Sequence, residues 1–408
     1  MFTKISLHGW RQFDRVDIDF HPRLTVLTGA NATGKTTILN LLNRHMGWNL
    51  AFVTTAPKRG RASRFWHEFW NRTVSDSDPP QRVQIGEITY SSGASAQLLV
   101  PPTEAATYQV EIANLQHVPG TFVSSHRPVY FYENVTEIPT QLQPREELFR
   151  LYLNDLTARY VSNSRRRSPT HQLKRALIGL ATFGYGNQVV RANPDAVETF
   201  ESFQRVLRII LPPVLAFDHL EIRLPDVVLV CETSEFSLDA VSGGIAALID
   251  VTWQILLQSQ IEPEFTVLID EPENHLHPEL QRAVLPSLLD AFPTAQFIVA
   301  THNPFIVSAV PESHVYVLRF AHLSGVIADS LDMVNKAGSS NEILRQVLGL
   351  PNTMPIWVEQ RIEQITEKYA SVSLNESVLQ AMKEDLSQIG LADLLPETLT
   401  RVLKNRYD

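Results

Sequence analysis

The chain has 408 residues, 44% hydrophobic and 19% charged, enough for one large or two to three ordinary cores. Its net charge of −9 excludes an overall cationic field, so any nucleic-acid or membrane contact requires a local patch. The single cysteine, Cys231, excludes an intramolecular disulfide and lies in the apolar run 227–231, where a small buried hydrophobe is expected.

The N-terminus enters a strand pattern at once, without the apolar core of a signal peptide. The best apolar run, Ile245 to Leu257, is broken by Asp250 and falls short of the roughly 18 residues of a membrane helix. A soluble, cytoplasmic protein without membrane contact is expected. Ile5, Leu7 and Trp10, then Val16, Ile18 and Phe20, alternate like paired strands around a polar turn at Gln12 to Arg15. Residues 23–28 read as a short buried strand. A helix follows at Thr37 and runs to about Met46.

Between that strand and helix stands Gly29-Ala30-Asn31-Ala32-Thr33-Gly34-Lys35-Thr36-Thr37, which fits G-x-x-x-x-G-K-[ST]. Two glycines let the backbone curl so that successive N–H groups converge on phosphate oxygens, and the helix N-terminus adds partial positive charge. Lys35 can reach the β- and γ-phosphates, and the Thr36 hydroxyl can ligate Mg²⁺.

Residues 55–82 are polar and basic, with Lys58, Arg59, Arg61 and Arg64 beside Phe65, Trp66, Phe69 and Trp70 at helical spacing. Strands are expected over 83–100, 107–115 and 129–132. From 144 to 211 the pattern is helical in two amphipathic pieces, one around Leu148 to Tyr160 and one around Phe200 to Ile210. A basic break, Arg165-Arg166-Arg167-Ser168-Pro169, separates them. Strands return at 220–224 and 227–231. Each basic cluster, the second including Lys174 and Arg175, reads either as a grip on a phosphate backbone or as a solvated face. No fixed-period repeat and no sustained heptads occur.

Thr266-Val267-Leu268-Ile269-Asp270-Glu271 is an apolar strand ending in two carboxylates, as in a parallel sheet buried on both faces. Its C-terminal end belongs beside the phosphate loop in a doubly wound fold. Asp270 suits the Mg²⁺ shell, and Glu271 suits orienting and deprotonating the attacking water. Residues 296–302 repeat the design and end on His302, which can sense the γ-phosphate. Val241-Ser242-Gly243-Gly244 opens a helix about 30 residues before Asp270, a second anion-binding concavity. The phosphate loop already supplies that role within one copy, so this turn is expected to close over the γ-phosphate held by a second copy.

In that order, these four motifs resemble the ABC-type ATPases of the SMC and RecF group. Residues 270–278 (Asp-Glu-Pro-Glu-Asn-His-Leu-His-Pro) and 300–304 (Ala-Thr-His-Asn-Pro) are similar to its AAA-labelled bacterial branch. That branch includes the ATPase halves of OLD-family nucleases and of phage-defence systems such as Septu, PARIS and certain retrons. The likeness covers residues 1–45 and 230–320. It implies an α/β P-loop NTPase of ABC-ATPase type, with a mixed or parallel sheet core, N-terminal antiparallel strands and a helical insertion. The implied divisions are an N-terminal ATPase lobe at 1–143, the insertion at 144–215, a C-terminal ATPase lobe at 216–325 and a helical extension at 326–408.

By the same resemblance, Gly29, Asn31 to Thr37, Ser242, Gly243 and Gly244 hold ATP. Thr36 and Asp270 hold Mg²⁺, Glu271 is the catalytic base and His302 the switch. Gln141, with Gln143 close behind, is the candidate for the group's Mg²⁺-ligating glutamine. Arg11 stands where relatives place a basic contact to nucleotide, or is a solvated turn residue. Apart from the resemblance, Arg127, in Ser124-Ser125-His126-Arg127-Pro128 before an expected strand, is a candidate near a nucleotide or an interface. The implied activity is ATP hydrolysis by a head-to-tail homodimer or larger homo-oligomer. Such an assembly acts as a switch for a separately encoded nuclease or toxin in anti-phage defence. A RecF-like repair ATPase acting directly on DNA, and a scaffold that barely turns over, are the competing readings. The C-terminal segment lacks the clustered Asp-x-Asp of a two-metal nuclease, and no guanine-reading Asn-Lys-x-Asp supports a GTPase.

Overall fold

In the computed structural model, the described residues are 1–54, 82–101, 106–127, 130–138, 143–162, 168–321, 325–332, 339–350, 355–370, 372, 375–388 and 390–407. They fall into two units, Met1–Gly349 and Leu350–Asp408.

The first unit opens with β1 (Phe2–Trp10), β2 (Phe13–Asp19) and β3 (Leu24–Gly29), followed by α1 (Lys35–Leu42) and a tight turn of helix over Asn43–Met46. The short pair β4 (Phe52–Val53) and β7 (Thr107–Tyr108) forms a small sheet. Also in this part of the chain are β5 (Val83–Tyr90), β6 (Ser95–Val100), β8 (Glu111–Ala113) and β9 (Gly120–Val123). Three helices follow, α2 (Arg145–Ser162), α3 (Pro169–Gly184) and α4 (Pro194–Ile210), then the three-stranded sheet β10 (Phe217–Arg223), β11 (Asp226–Cys231) and β12 (Glu235–Ser237). The last stretch is α5 (Gly243–Ser259), β13 (Thr266–Asp270), α6 (Pro278–Ala291), β14 (Gln296–Ala300), α7 (Pro304–Val307), β15 (His314–Ala321) and β16 (Gly325–Ser330).

Among the described residues, eleven strands make one mixed sheet in the order β8-β6-β5-β1-β2-β16-β15-β3-β14-β13-β9. The first five are linked antiparallel, whereas β15, β3, β14, β13 and β9 run parallel. Both halves of the sequence therefore contribute to one sheet: β3 from the start of the chain lies between β14 and β15 from its second half. This is an α/β P-loop ATPase fold. Every residue of β3, β13 and β14 is buried, as expected of parallel strands covered on both faces. One apolar cluster joins the insertion helices, α5 and α6 to one face; the other fills the space between α1 and the N-terminal strands.

Several details differ from the sequence reading. The first hairpin turns within Arg11 and Gln12, because β2 begins at Phe13, and Arg11 takes a left-handed φ of 53°. Residues 130–132 are not a strand, although β-prone: β9, which ends at Val123, is already the last strand at that side of the sheet. The helical stretch contains a third member, α3, whose start is fixed by Ser168 and by Pro169 in the first turn, where a missing N–H costs nothing. The strand β16 reaches Ser330, past the expected start of a helical extension. Among the described residues, no helix is long and apolar enough to cross a membrane.

The second unit contains helices Ile356–Ala370, Glu376–Gln388 and Leu395–Tyr407 around a small core of Val358, Ile362, Ile365, Tyr369, Met382, Leu386 and Val402.

Candidate functional site

The loop between β3 and α1 is shaped by two glycines. Gly29 has φ 138°, and a Cβ there would lie 2.1 Å from the Leu318 carbonyl oxygen on β15. Gly34 has φ 97°, and its missing Cβ leaves room for the Phe13 ring and the Gln12 amide. Neither conformation nor space admits a larger residue. Thr33 donates its hydroxyl to the Ala30 carbonyl at 2.8 Å and so braces the curl. Ala32 also has a left-handed φ of 66°, and Asn31 is exposed on the crest.

Lys35 is buried and donates to the Gly29 and Ala30 carbonyls at 2.8 and 3.1 Å. Burial lowers its pKa, while Asp270, Glu271 and Glu273 oppose that shift. The exposed Thr36 donates its hydroxyl to Asp270 Oδ2 at 2.9 Å, across 234 residues of chain. Asp270 is the last residue of β13, and its carboxyl is pushed up to about 6, chiefly by desolvation and further by Glu271. The Thr36 hydroxyl, Arg127 and Lys35 pull the other way.

Glu271 follows immediately, with an unusual φ of 51° for a non-glycine residue. That turn brings its carboxylate to His302 Nδ1, 3.3 Å from Glu271 Oε1, just past the end of β14. Asn274 Nδ2 donates to Glu271 Oε2 at 2.9 Å and to the Ser125 carbonyl at 3.0 Å, so one amide ties the acid to the loop after β9. Glu273 is buried, accepts from Thr301 Oγ1 at 2.6 Å and lies 3.8 Å from His302 Nδ1. Its pKa is raised by desolvation.

The structure thus brings Lys35, Thr36, Asp270, Glu271 and His302 to adjacent strand ends on one edge of the parallel sheet, where ligands collect in such folds. The arrangement fits its expected ligands: a cradle only glycine permits, a buried ammonium at the base, and a hydroxyl beside a carboxylate. Thr36 and Asp270 would hold a divalent cation that neutralises phosphate charge.

Other expected residues lie elsewhere. Ser242 is exposed at the N-terminus of α5, and its hydroxyl caps nothing in its own helix. Around Gly243 a Cβ would meet nothing within 4 Å, whereas at Gly244 it would lie 2.8 Å from the His275 carbonyl oxygen. The Arg11 guanidinium sits over the Trp10 and Phe52 rings, 5.9 and 5.6 Å from their centroids. Gln143 lines a small cavity with Leu148, Tyr152, Phe183 and Trp253. Gln141, Lys58, Arg59, Arg61, Arg64, the aromatics 65–70 and Arg165 to Arg167 lie outside the described residues. Lys174, read as part of a basic patch, is fully buried between Asp226 and Asp239, so it offers no charge to a phosphate backbone.

Residues missed in the sequence are Asn274 and Glu273. Arg127, which the sequence offers for either a nucleotide or an interface, donates from Nη2 to the Glu271 carbonyl at 3.3 Å, and desolvation lowers its pKa to about 10. Asn274 and Glu273 lie within the motif after Asp270, which was the available signal. Arg127 had only its place after a strand.

Fold and site together define an α/β domain of P-loop ATPase fold, with its phosphate loop, acidic strand end and His302 at one sheet edge. Two family models match: one described as "AAA domain" over residues 4–112, and one described as "AAA domain, putative AbiEii toxin, Type IV TA system" over residues 233–308. The chain is similar to the Septu protein PtuA of Bacillus mycoides (strain KBAB4), 26% identical over 158 residues. That alignment covers 37% of this chain and 22% of PtuA. It is also similar to the "Retron Vc95 probable ATPase" of Vibrio cholerae serotype O1 biovar El Tor, 29% identical over 103 residues, covering 23% of this chain and 20% of the relative. The chain therefore spans only about a fifth of each relative's length. Among solved structures, the SMC head domain from Thermotoga maritima aligns with a TM-score of 0.44 at 16% identity, covering 81% of this chain and 99% of that one.

Proposed function

We propose that this chain binds Mg-ATP in its own phosphate loop and hydrolyses it to ADP and phosphate. Ser242, Gly243 and Gly244 of a second copy complete the site, so ATP drives head-to-tail association and hydrolysis drives release. The observation that carries this reading is the Glu271 carboxylate. It is aimed by Asn274 and lies 3.3 Å from His302, at the mouth of a loop whose base is Lys35. Glu271 takes a proton from the attacking water as the water oxygen bonds to the γ-phosphorus. The bond to the β–γ bridging oxygen breaks, and its electron pair leaves with ADP. His302 holds the γ-phosphate and water in line.

The exposure of Ser242, which caps nothing in its own helix, supports the trans role. Similarity to Septu PtuA and to the retron ATPase, with the resemblance from the motifs, supports a defence setting in which the switch acts on a separately encoded effector, a nuclease or toxin. Titration calorimetry and a phosphate-release assay test the ATPase reading. Lys35→Ala is expected to abolish ATP binding, while Glu271→Gln retains it and loses roughly 10²- to 10⁴-fold in turnover. Wild-type turnover by Glu271→Gln would remove the acid from its role.

A further inference from the structure

The turn bearing Ser242 packs on one side, through Gly244, against the His275 carbonyl and is open on the other. Gly243 has open space around it, and the Ser242 side chain makes no capping bond. Just before it, Leu238–Ala240 forms a single helical turn, and Asp239 in that turn has a side chain only 2% exposed. Asp239 Oδ2 pairs with Lys174 Nζ, while Asp239 Oδ1 has no hydrogen-bond partner among the described residues. Lys174 is fully buried on α3, reaches Asp226 Oδ1 at 3.0 Å at the start of β11, and lies 5.2 Å from the Tyr132 ring centroid.

One ammonium therefore joins three elements: an insertion helix, the three-stranded sheet and the turn before Ser242. Its neighbours on α3, Leu173, Leu177, Ile178 and Leu180, are apolar and buried. A desolvated ion pair is costly when half broken, so within this apolar surround it ties the turn to α3 at one point.

We propose that Lys174 is a positioning residue: through Asp239 it holds the Ser242-Gly243-Gly244 turn in the shape that caps nucleotide on a second copy of this chain. The proposal rests on the trans-capping reading above, and it makes the helical insertion the part of the molecule that can set or release that cap. A partner pulling on α3 would reach the turn through this ion pair without touching the phosphate loop.

Hydrogen exchange on the full chain without nucleotide tests the hold itself. In Lys174→Met, amides of residues 238–246 should exchange about tenfold faster, while β13 and the phosphate loop stay within about twofold of wild type. Asp239→Asn, which leaves Lys174 paired with Asp226, should show the same local change and serves if Lys174→Met does not fold. Unchanged exchange at 238–246, or uniform loss throughout the chain, overturns the proposal.

Sedimentation in the Glu271→Gln background then tests the consequence. ATP-dependent self-association should weaken about tenfold, with single-chain ATP affinity within about twofold. Loosened amides with undiminished association would also overturn it. If Glu271→Gln itself fails to associate with ATP, the trans-capping reading fails, and the exchange result still decides whether Lys174 holds the turn.

Discussion

Asp270 ends β13 with its ionised form disfavoured by burial and by the neighbouring Glu271, so its carboxyl stands at about 6 rather than 3.8. A raised carboxyl pKa means that the folded chain binds the proton more tightly than the unfolded chain. Stability contributed by this group is therefore present below about pH 4 and is lost as pH rises through about 6. Asp270→Asn carries no charge at any pH and removes that loss. Without nucleotide or metal, unfolding free energy of the variant relative to wild type should shift in its favour by roughly 1–3 kcal/mol between about pH 4 and pH 8. Denaturant titrations at several pH values measure this; parallel pH profiles would mean that Asp270 ionises normally. On the proposed reading, the same carboxylate, once ionised beside the Thr36 hydroxyl at 2.9 Å, would be the cation's partner.

At the scale of elements, α5 both presents Ser242 and packs into the core. Trp253 is buried on it and meets Phe203 of α4 edge-on at 5.0 Å, while Gln254 donates to Thr121 Oγ1 and the Phe122 carbonyl of β9 at 2.6 and 2.9 Å. Trp253→Ala should cost about 3–5 kcal/mol in unfolding free energy by leaving a cavity between α4 and α5. Chemical denaturation measures the loss, and a change below about 1 kcal/mol would mean that this interface does not hold α5.

The phosphate loop, the strand ending in Asp270 and the strand before His302 were legible in the sequence. Phosphate chemistry fixes the spacing of Gly29, Gly34 and Lys35, and a doubly buried strand leaves an unbroken apolar run. The helix α3 was not, because the run Arg165 to Arg167 obscured a start marked only by Ser168 and Pro169. Asn274 was not, because its contacts to Glu271 and Ser125 depend on how the chain turns after β13. The meaning of Lys174 was misread for a similar reason: its partners Asp226 and Asp239 lie 52 and 65 residues away. Charge patterning in sequence cannot distinguish a buried triad from a solvated patch.

At the scale of the whole molecule, the described residues of 1–349 contain the eleven-stranded sheet and the side chains gathered at the candidate site, while 350–408 have their own small core. A chain ending at Gly349 should therefore bind ATP with affinity within about twofold of the full chain, measured by calorimetry. Loss of binding would mean that the last 59 residues, 350–408, support the site.

The central claim is that each nucleotide is shared between the phosphate loop of one copy and Ser242 of another, and mixing two inactive chains tests it most directly. Lys35→Ala lacks the loop lysine but keeps Ser242; Ser242→Arg keeps the loop but blocks the cap. Each alone should be inactive. An equimolar mixture should recover about a quarter of wild-type phosphate release, because half the dimers are mixed and each mixed dimer has one intact site of two. No recovery from two folded variants, or full activity of Ser242→Arg by itself, would contradict a site completed in trans.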